Sequence, residues 1–251
     1  MNITCLASSS AGNCYLIKTD SDAFLLEAGI KRHQIVSNLM RQKTPMTITR
    51  LSGVAVTHHH GDHARSAAEL GSYNIPIFAS PETLKLAQVK SHQYPIITVD
   101  GWSRIINIGQ SLELTAFELE HNNSDGTACL GNYGYILYDK IANERLLFIN
   151  DCKLVKWDFS KSKFDYIMIE CNHNDELLDR KDIQIVRTAQ SHMSLATCKL
   201  TLSKMDLSNT QAIYLMHMSD GNCDQNRCLK EVMELTGKPT YACLKDGGFS
   251  E

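Results

Sequence analysis

The stretch Val54–Tyr73, VAVTHHHGDHARSAAELGSY, places four of the chain's 10 histidines and one aspartate within the six residues from His58 to His63. His58 and His60 are two apart, and in an extended segment residues i and i+2 face the same side, so both imidazoles can reach one ion. Gly61 permits a sharp turn, after which Asp62 and His63 open a helical pattern and are aimed at a neighbouring point. His-x-His-x-Asp-His therefore offers two ligand pairs, as expected of a hydrolytic site holding two ions about 3.5–4 Å apart. A surface histidine run flanking an aspartate N-cap is the alternative. The apolar, β-branched LSGVAVT in front of the cluster, a buried strand ending near Thr57, favours the metal reading.

The elements that must carry this cluster follow from periodicity. Apolar runs of strand length recur at CYLIKT, AFLLEAG, LSGVAVT, IPIFAS, LELTAFELE, YGYILYD, RLLFIN, DYIMIE, AIYLMH and TYACLK. Helical patterns fall at Lys31–Gln42, His63–Gly71, Pro81–Lys90, Asp175–Gln190, Ser194–Met205 and Asp224–Thr236, with Ser80 capping and Pro81 in a first turn. Strand-rich halves with interspersed helices are compatible with two face-to-face sheets between helical layers, and equally with a doubly wound sheet. With five prolines, no repeat and no low-complexity tract, the chain of 251 residues reads as one domain, 1–251.

Composition excludes some classes. Hydrophobic residues make up 43% and charged residues 21%, ordinary globular usage. The formal charge of -3 carries no global basic excess of the kind that announces nucleic-acid binding. No apolar run approaches the roughly 18 residues of a membrane helix, and nine scattered cysteines without CxxC pairs fit reduced thiols, so a cytoplasmic protein without a membrane is expected.

The run HHHGDH resembles the HxHxDH signature of the metallo-β-lactamase superfamily, which implies an α/β fold arranged as a four-layer αββα sandwich. It also implies later ligands in order, each at a strand end: His121 after LELTAFELE, Asp151 after RLLFIN and His217 after AIYLM. By matching position, His58, His60 and His121 resemble the ligands of one metal, Asp62, His63 and His217 those of the other, with Asp151 bridging. His59 occupies a variable position and is expected to point away from both. LASSSAGNCYLI, IECNHN, SHMS and LMHMSDGNC are similar to blocks of the YycJ-like subgroup, which is associated with nuclease, phosphodiesterase and DNA exonuclease chemistry. The chain departs from the family pattern at Glu27, where an aspartate is usual, at Cys152, where a small hydroxyl residue is usual, and at Ser9 and Ala11.

The expected cofactors are two divalent ions, zinc or manganese, which suit imidazole with a carboxylate bridge. Such a pair activates a bridging hydroxide to attack a phosphodiester, with Asp62 orienting the water. His192, at a helix start, is the candidate general acid, a structural cap being the alternative; His173 and Glu170 are candidates for orienting imidazoles. Ser8, Ser10 and Asn13 are candidate phosphate-binding residues, resting mainly on the resemblance. The leading expectation is a DNA exonuclease. A cyclic-nucleotide phosphodiesterase, similar to the anti-Pycsar enzymes, is the alternative, which a narrow, neutral pocket and a homodimer would favour, and a non-catalytic metal-binding protein is a third. β-Lactam hydrolysis is not expected, for want of an export signal. Basic residues that could meet a nucleic-acid substrate are Lys31, Arg32, Arg41, Lys43, Arg50, Arg65, Lys153 and Lys156.

Overall fold

The computed structural model describes residues 1–123, 125–179, 181–182, 185 and 189–250. Each of the ten apolar runs contains a strand. The first sheet has six strands in chain order: β1 (Asn2–Ala7), β2 (Cys14–Lys18), β3 (Ala23–Leu26), β4 (Gly53–Ala55), β5 (Ile77–Ala79) and β6 (Gln93–Pro95). The second has ten: β7 (Thr98–Val99), β8 (Trp102–Ser103), β9 (Ile106–Ile108), β10 (Leu112–Glu118), β11 (Tyr133–Asp139), β12 (Glu144–Ile149), β13 (Tyr166–Glu170), β14 (Ala212–Met216), β15 (Thr240–Cys243) and β16 (Phe249–Ser250). β1 and β6 to β9 do not stand out in the sequence; Gln93–Pro95, for example, is exposed throughout and shows no burial alternation.

The helices are α1 (Arg32–Met40), α2 (Gly61–Ala64), α3 (Ala67–Ser72), α4 (Pro81–Leu86), α5 (Leu195–Ser203) and α6 (Gln225–Thr236). The helix expected over His63–Gly71 is thus two short ones, and α4 stops before Lys90 because Gln88 takes a left-handed φ of 55°. Ser80 caps α4 by accepting from the Thr83 amide, 3.1 Å away. The helix expected over Asp175–Gln190 lies partly outside the described residues and begins as a 3-10 turn at Asp175–Leu177.

Three apolar cores separate four layers. Leu16, Leu25 and Val54 of the first sheet pack on Ile35, Leu39 and Leu70 of the helices outside it. Tyr15, Phe24 and Leu26 meet Leu114, Tyr135 and Phe148 between the sheets, and Ile167, Ile169 and Ile213 pack on Cys198, Leu202 and Val232 of α5 and α6. The sandwich is therefore αββα, and the doubly wound alternative falls away.

The strand directions gather the chemistry at one edge. β3, β4 and β5 are parallel, as are β12, β13 and β14, and β10 runs with β12 because each is antiparallel to β11. Their carboxyl ends all open on the same rim, where loops rather than hydrogen-bonded strands continue the chain. At the opposite rim Asp22 joins the sheets, its carboxylate accepting from the Ser52 hydroxyl at 2.7 Å and from the amide and hydroxyl of Ser111 at 2.7 and 3.0 Å. Among the described residues no helix is long and apolar enough to cross a membrane.

Candidate metal centre

Four overlapping groups of donors form at the rim, each with its ligand atoms within 4.8 Å of one another; two hold the expected ligands, His58, His60, His121 and Asp151, and Asp62, His63, Asp151 and His217, and the others are His59, His60 and Cys129, and Asp151, Glu170, His192 and His217. β4 delivers the first histidines, and α2 turns Asp62 and His63 inward. β10, β12 and β14 supply His121, Asp151 and His217 from the second sheet. The two sheets thus contribute to one site. Asp151 and His217 hold left-handed backbones, φ 49° and 54°, a strain that β-sheet connections seldom keep without a functional reason.

The outer partners decide which face each imidazole turns inward. The single hydroxyl proton of Thr57 goes to Glu27 Oε1 at 2.6 Å, so its oxygen accepts from His58 Nδ1, 2.9 Å away, and His58 Nε2 is left without a proton. Asn123, oriented by its own donation to Thr127 and the Ala128 carbonyl, accepts from His60 Nε2 at 3.0 Å. His121 Nδ1 donates to the Ser191 carbonyl at 3.2 Å. Three bare nitrogens therefore converge, with His60 Nδ1 2.8 Å from His58 Nε2 and 3.3 Å from His121 Nε2. Lone pairs this close repel unless a cation lies among them.

The second group shows the same demand through charge. His63 Nε2 lies 3.2 Å from both Asp62 Oδ2 and Asp151 Oδ2, and His217 Nε2 lies 3.3 Å from Asp62 Oδ2. Burial favours neutral imidazoles here, but the surrounding carboxylates win: Asp151, with Asp62 and Glu27, holds His63 well above its usual value, and Asp151 with Asp62 and Glu170 pushes His217 up to about 10. In the first group burial prevails, lowering His58 well below its usual value and His121 to about 4. Asp151 is held low against its burial by His217, His63 and His192, and its Oδ1 is buried with no hydrogen-bond partner. Converging lone pairs, a carboxylate oxygen without a donor and a nitrogen-and-oxygen donor set all fit divalent metal ions.

Several residues act on the site from outside it. Glu27, buried at a φ of 69°, accepts from His63 Nδ1 at 3.0 Å as well as from Thr57, so the departure from the family pattern has a load to carry. Glu170, also buried, accepts from His192 Nδ1 at 2.6 Å and from the amides of Cys152 and Met193. His192 stacks on His217 with ring centroids 5.1 Å apart and is partly exposed; Ser194, not His192, caps α5. Thr57, Asn123 and Asn132, which donates to the Asp151 carbonyl at 2.8 Å, carry no motif that would reveal these roles in the sequence.

Other expectations change. His173 does not orient a site imidazole; its contact is with Asp175, 3.6 Å away. Ser8 and Asn13 are buried and their polar groups are spent inside the protein. Ser8 Oγ accepts from the His217 amide at 2.9 Å, and Asn13 Nδ2 donates to the carbonyls of Ser9 and Asp62. Ser10 alone of the three is exposed. Gly29 is required beneath this loop, because a Cβ there would stand 1.7 Å from the Asp62 carbonyl oxygen. His59 turns toward Cys129, with Nδ1 3.7 Å from Sγ.

A family profile described as the beta-lactamase superfamily domain matches residues 23–218. Exodeoxyribonuclease YycJ of Bacillus anthracis is 25% identical over 263 residues, covering 99% of this chain and 91% of that protein. Exodeoxyribonuclease WalJ of Streptococcus pneumoniae is 23% identical over 235 residues, covering 86% and 81%. Among solved structures, the metallo-β-lactamase fold protein YhfI of Bacillus subtilis superposes with a TM-score of 0.71 at 16% identity, covering 99% of this chain and 98% of that one. The chain belongs to the β-lactamase superfamily and is a metal-dependent hydrolase with the metallo-β-lactamase fold.

Proposed function

From its membership of the β-lactamase superfamily we infer that this hydrolase is a phosphodiesterase acting on nucleic acid, a DNA exonuclease working with two divalent ions, zinc or manganese. The observation that carries the reading is Asp151. Its Oδ2 lies 3.8, 3.6 and 3.2 Å from Nε2 of His58, His121 and His63, and its Oδ1 lies 3.7 Å from Nε2 of His217. One carboxylate shared by two donor groups suits a pair of ions. His58, His60 and His121 would hold one, and Asp62, His63 and His217 the other. The names of the curated relatives support the choice of DNA.

Such ions, when bound, acidify water and polarise a phosphoryl oxygen. The chain's own residues do the rest. Asp62 accepts a hydrogen bond from the attacking water and fixes its line of approach. His192 is the proton donor: Glu170 holds its Nδ1 and favours the protonated ring, so Nε2 can protonate the departing oxygen. Ser8 and Asn13 serve by holding the backbones of His217 and Asp62, while Ser10 is the hydroxyl of that loop that a phosphate could meet. The catalytic unit is taken as one domain, 1–251.

The test incubates zinc- and manganese-loaded protein, beside its Asp62→Ala variant, with end-labelled DNA and with cyclic mononucleotides. Release of mononucleotides from DNA by the wild type alone supports the reading. Opening of cyclic nucleotides with intact DNA replaces it by the small-molecule alternative, and no turnover of either rejects both.

A further inference from the structure

We propose that a basic groove beside the metal rim binds the phosphodiester backbone of the substrate strand at nucleotides away from the scissile bond. The proposal rests on the nucleic-acid reading above and deepens it. The groove, about 550 Å³, is lined by Lys31, Arg41, Arg65 and Lys245, with Asp246 the single acidic residue on its wall. All four cations are exposed. Lys245 pairs with Asp220, whereas Lys31, Arg41 and Arg65 have no ion-pair partner among the described residues. In a chain of net charge -3, that concentration is a local reversal of sign.

Its position ties it to the reaction. The floor is the loop from Ser9 to Gly12, whose neighbours Ser8 and Asn13 bond the His217 amide and the Asp62 carbonyl. Arg65 directly follows α2, the helix that carries Asp62 and His63. The loop therefore joins the wall of the groove to the backbones of two donor residues, His217 and Asp62. Another part of the rim has the contrary charge. A cavity of about 710 Å³ beside His121 is lined by Glu82, Glu118 and Glu120; Glu120 is paired with Lys156, and Glu82 and Glu118, without an ion-pair partner among the described residues, repel a phosphate backbone. The other basic residues marked in the sequence do not join the groove: Arg32 is bound to Glu69 and Lys156 to Glu120. Charge thus gives the approaching strand one side to lie on.

The experiment compares the full-length manganese-loaded protein with the triple variant Lys31→Gln, Arg41→Gln, Arg65→Gln on single-stranded dT20 and on bis(p-nitrophenyl) phosphate, which is too small to reach the groove. Loss of three phosphate contacts on a single strand should lower the salt dependence of kcat/KM on dT20 by about 2 in the log–log slope and cost roughly tenfold in efficiency at moderate salt. The small substrate should be cleaved as by the wild type. The charge-retaining variant Lys31→Arg, Arg41→Lys, Arg65→Lys should keep wild-type efficiency on dT20. Equal activity and slope in the Gln variant and the wild type would overturn the groove while leaving the phosphodiesterase reading intact. The groove is likewise overturned if the charge-retaining variant loses as much as the Gln variant. Inhibition of dT20 cleavage by polyglutamate as strong as that by a non-cleavable phosphorothioate strand would overturn the nucleic-acid assignment. A wild type that cleaves neither substrate removes the function and the proposal together.

Discussion

Glu27 Oε1 accepts from Nδ1 of His63 at 3.0 Å and from the Thr57 hydroxyl at 2.6 Å, so one buried carboxylate orients imidazoles in both donor groups. The route to the second group is direct. The route to the first passes through Thr57, whose oxygen then accepts from His58.

Replacement of Glu27 by Gln keeps the size of the side chain but sets an amide N–H against the Thr57 amide, now 3.1 Å from Oε2. Metal affinity should fall about 10- to 100-fold, the usual cost of losing an outer-sphere partner. Competition against a fluorescent chelator reads it, and circular dichroism at 25 °C should be unchanged. Wild-type affinity in this variant would remove Glu27 from the role given to it.

Asp151 is common to both groups, so Asp151→Ala should lose bound metal from both positions and with it turnover, while His60→Ala should reduce the metal content of one. Elemental analysis of dialysed protein, in metal per chain, distinguishes the two. Full activity in either variant defeats the ligand assignment. Chelation of the wild type should lower its Tm, since the ions bind only the folded chain and each contributes roughly 3 kcal/mol of linkage when present at 100 times its Kd.

If His192 protonates the leaving oxygen, His192→Asn should slow cleavage of an ordinary phosphodiester by about 10²- to 10⁴-fold. A p-nitrophenolate leaving group needs no proton, so that substrate should be cleaved at close to the wild-type rate, with metal content unchanged. Equal slowing of both substrates would mean that the ring, stacked on His217, only supports the site. Glu170→Gln should reproduce the leaving-group dependence and move the alkaline limb of the pH–rate profile to lower pH, because Glu170 favours the protonated ring of His192.

Asp22 offers a test remote from the metals. Its burial raises the carboxyl, but the hydrogen bonds from Ser52, Ser111 and the Gln110 amide outweigh this and hold it below the usual carboxylate range. A folded value below the unfolded one contributes stability that is complete above the unfolded value of about 3.9 and is lost as pH falls through the folded value. Asp22→Asn should therefore lower the denaturation midpoint at pH 7, and its deficit relative to the wild type should shrink below about pH 4. A deficit that does not vary with pH would show that packing, not charge, is what Asp22 supplies.

In the chain alone, His58 to His63 already announce metal chemistry, because His-x-His-x-Asp-His after a buried strand is a local arrangement: strand alternation and one glycine turn determine where those side chains point. The ten apolar runs are legible for the same reason, each being long enough to show its period. His121, Asp151 and His217 can be ordered along the chain through family resemblance, yet nothing local distinguishes them from other polar residues at strand ends. Their convergence depends on β10, β12 and β14 running in one direction beside β4 of another sheet, a matter of pairing and packing over long sequence separations. The same holds for the roles that the sequence mis-states or hides. Whether Ser8 and Asn13 face a phosphate or the backbones of His217 and Asp62, whether Glu27 is an irregularity or the support of two imidazoles, and whether Lys31, Arg41 and Arg65 are scattered or form one groove are questions of which groups lie within about 3 Å or share a cavity wall. Sequence determined the donors available, and only the tertiary structure decided their neighbours, because hydrogen bonding, burial and Coulomb interaction act through space and not along the chain.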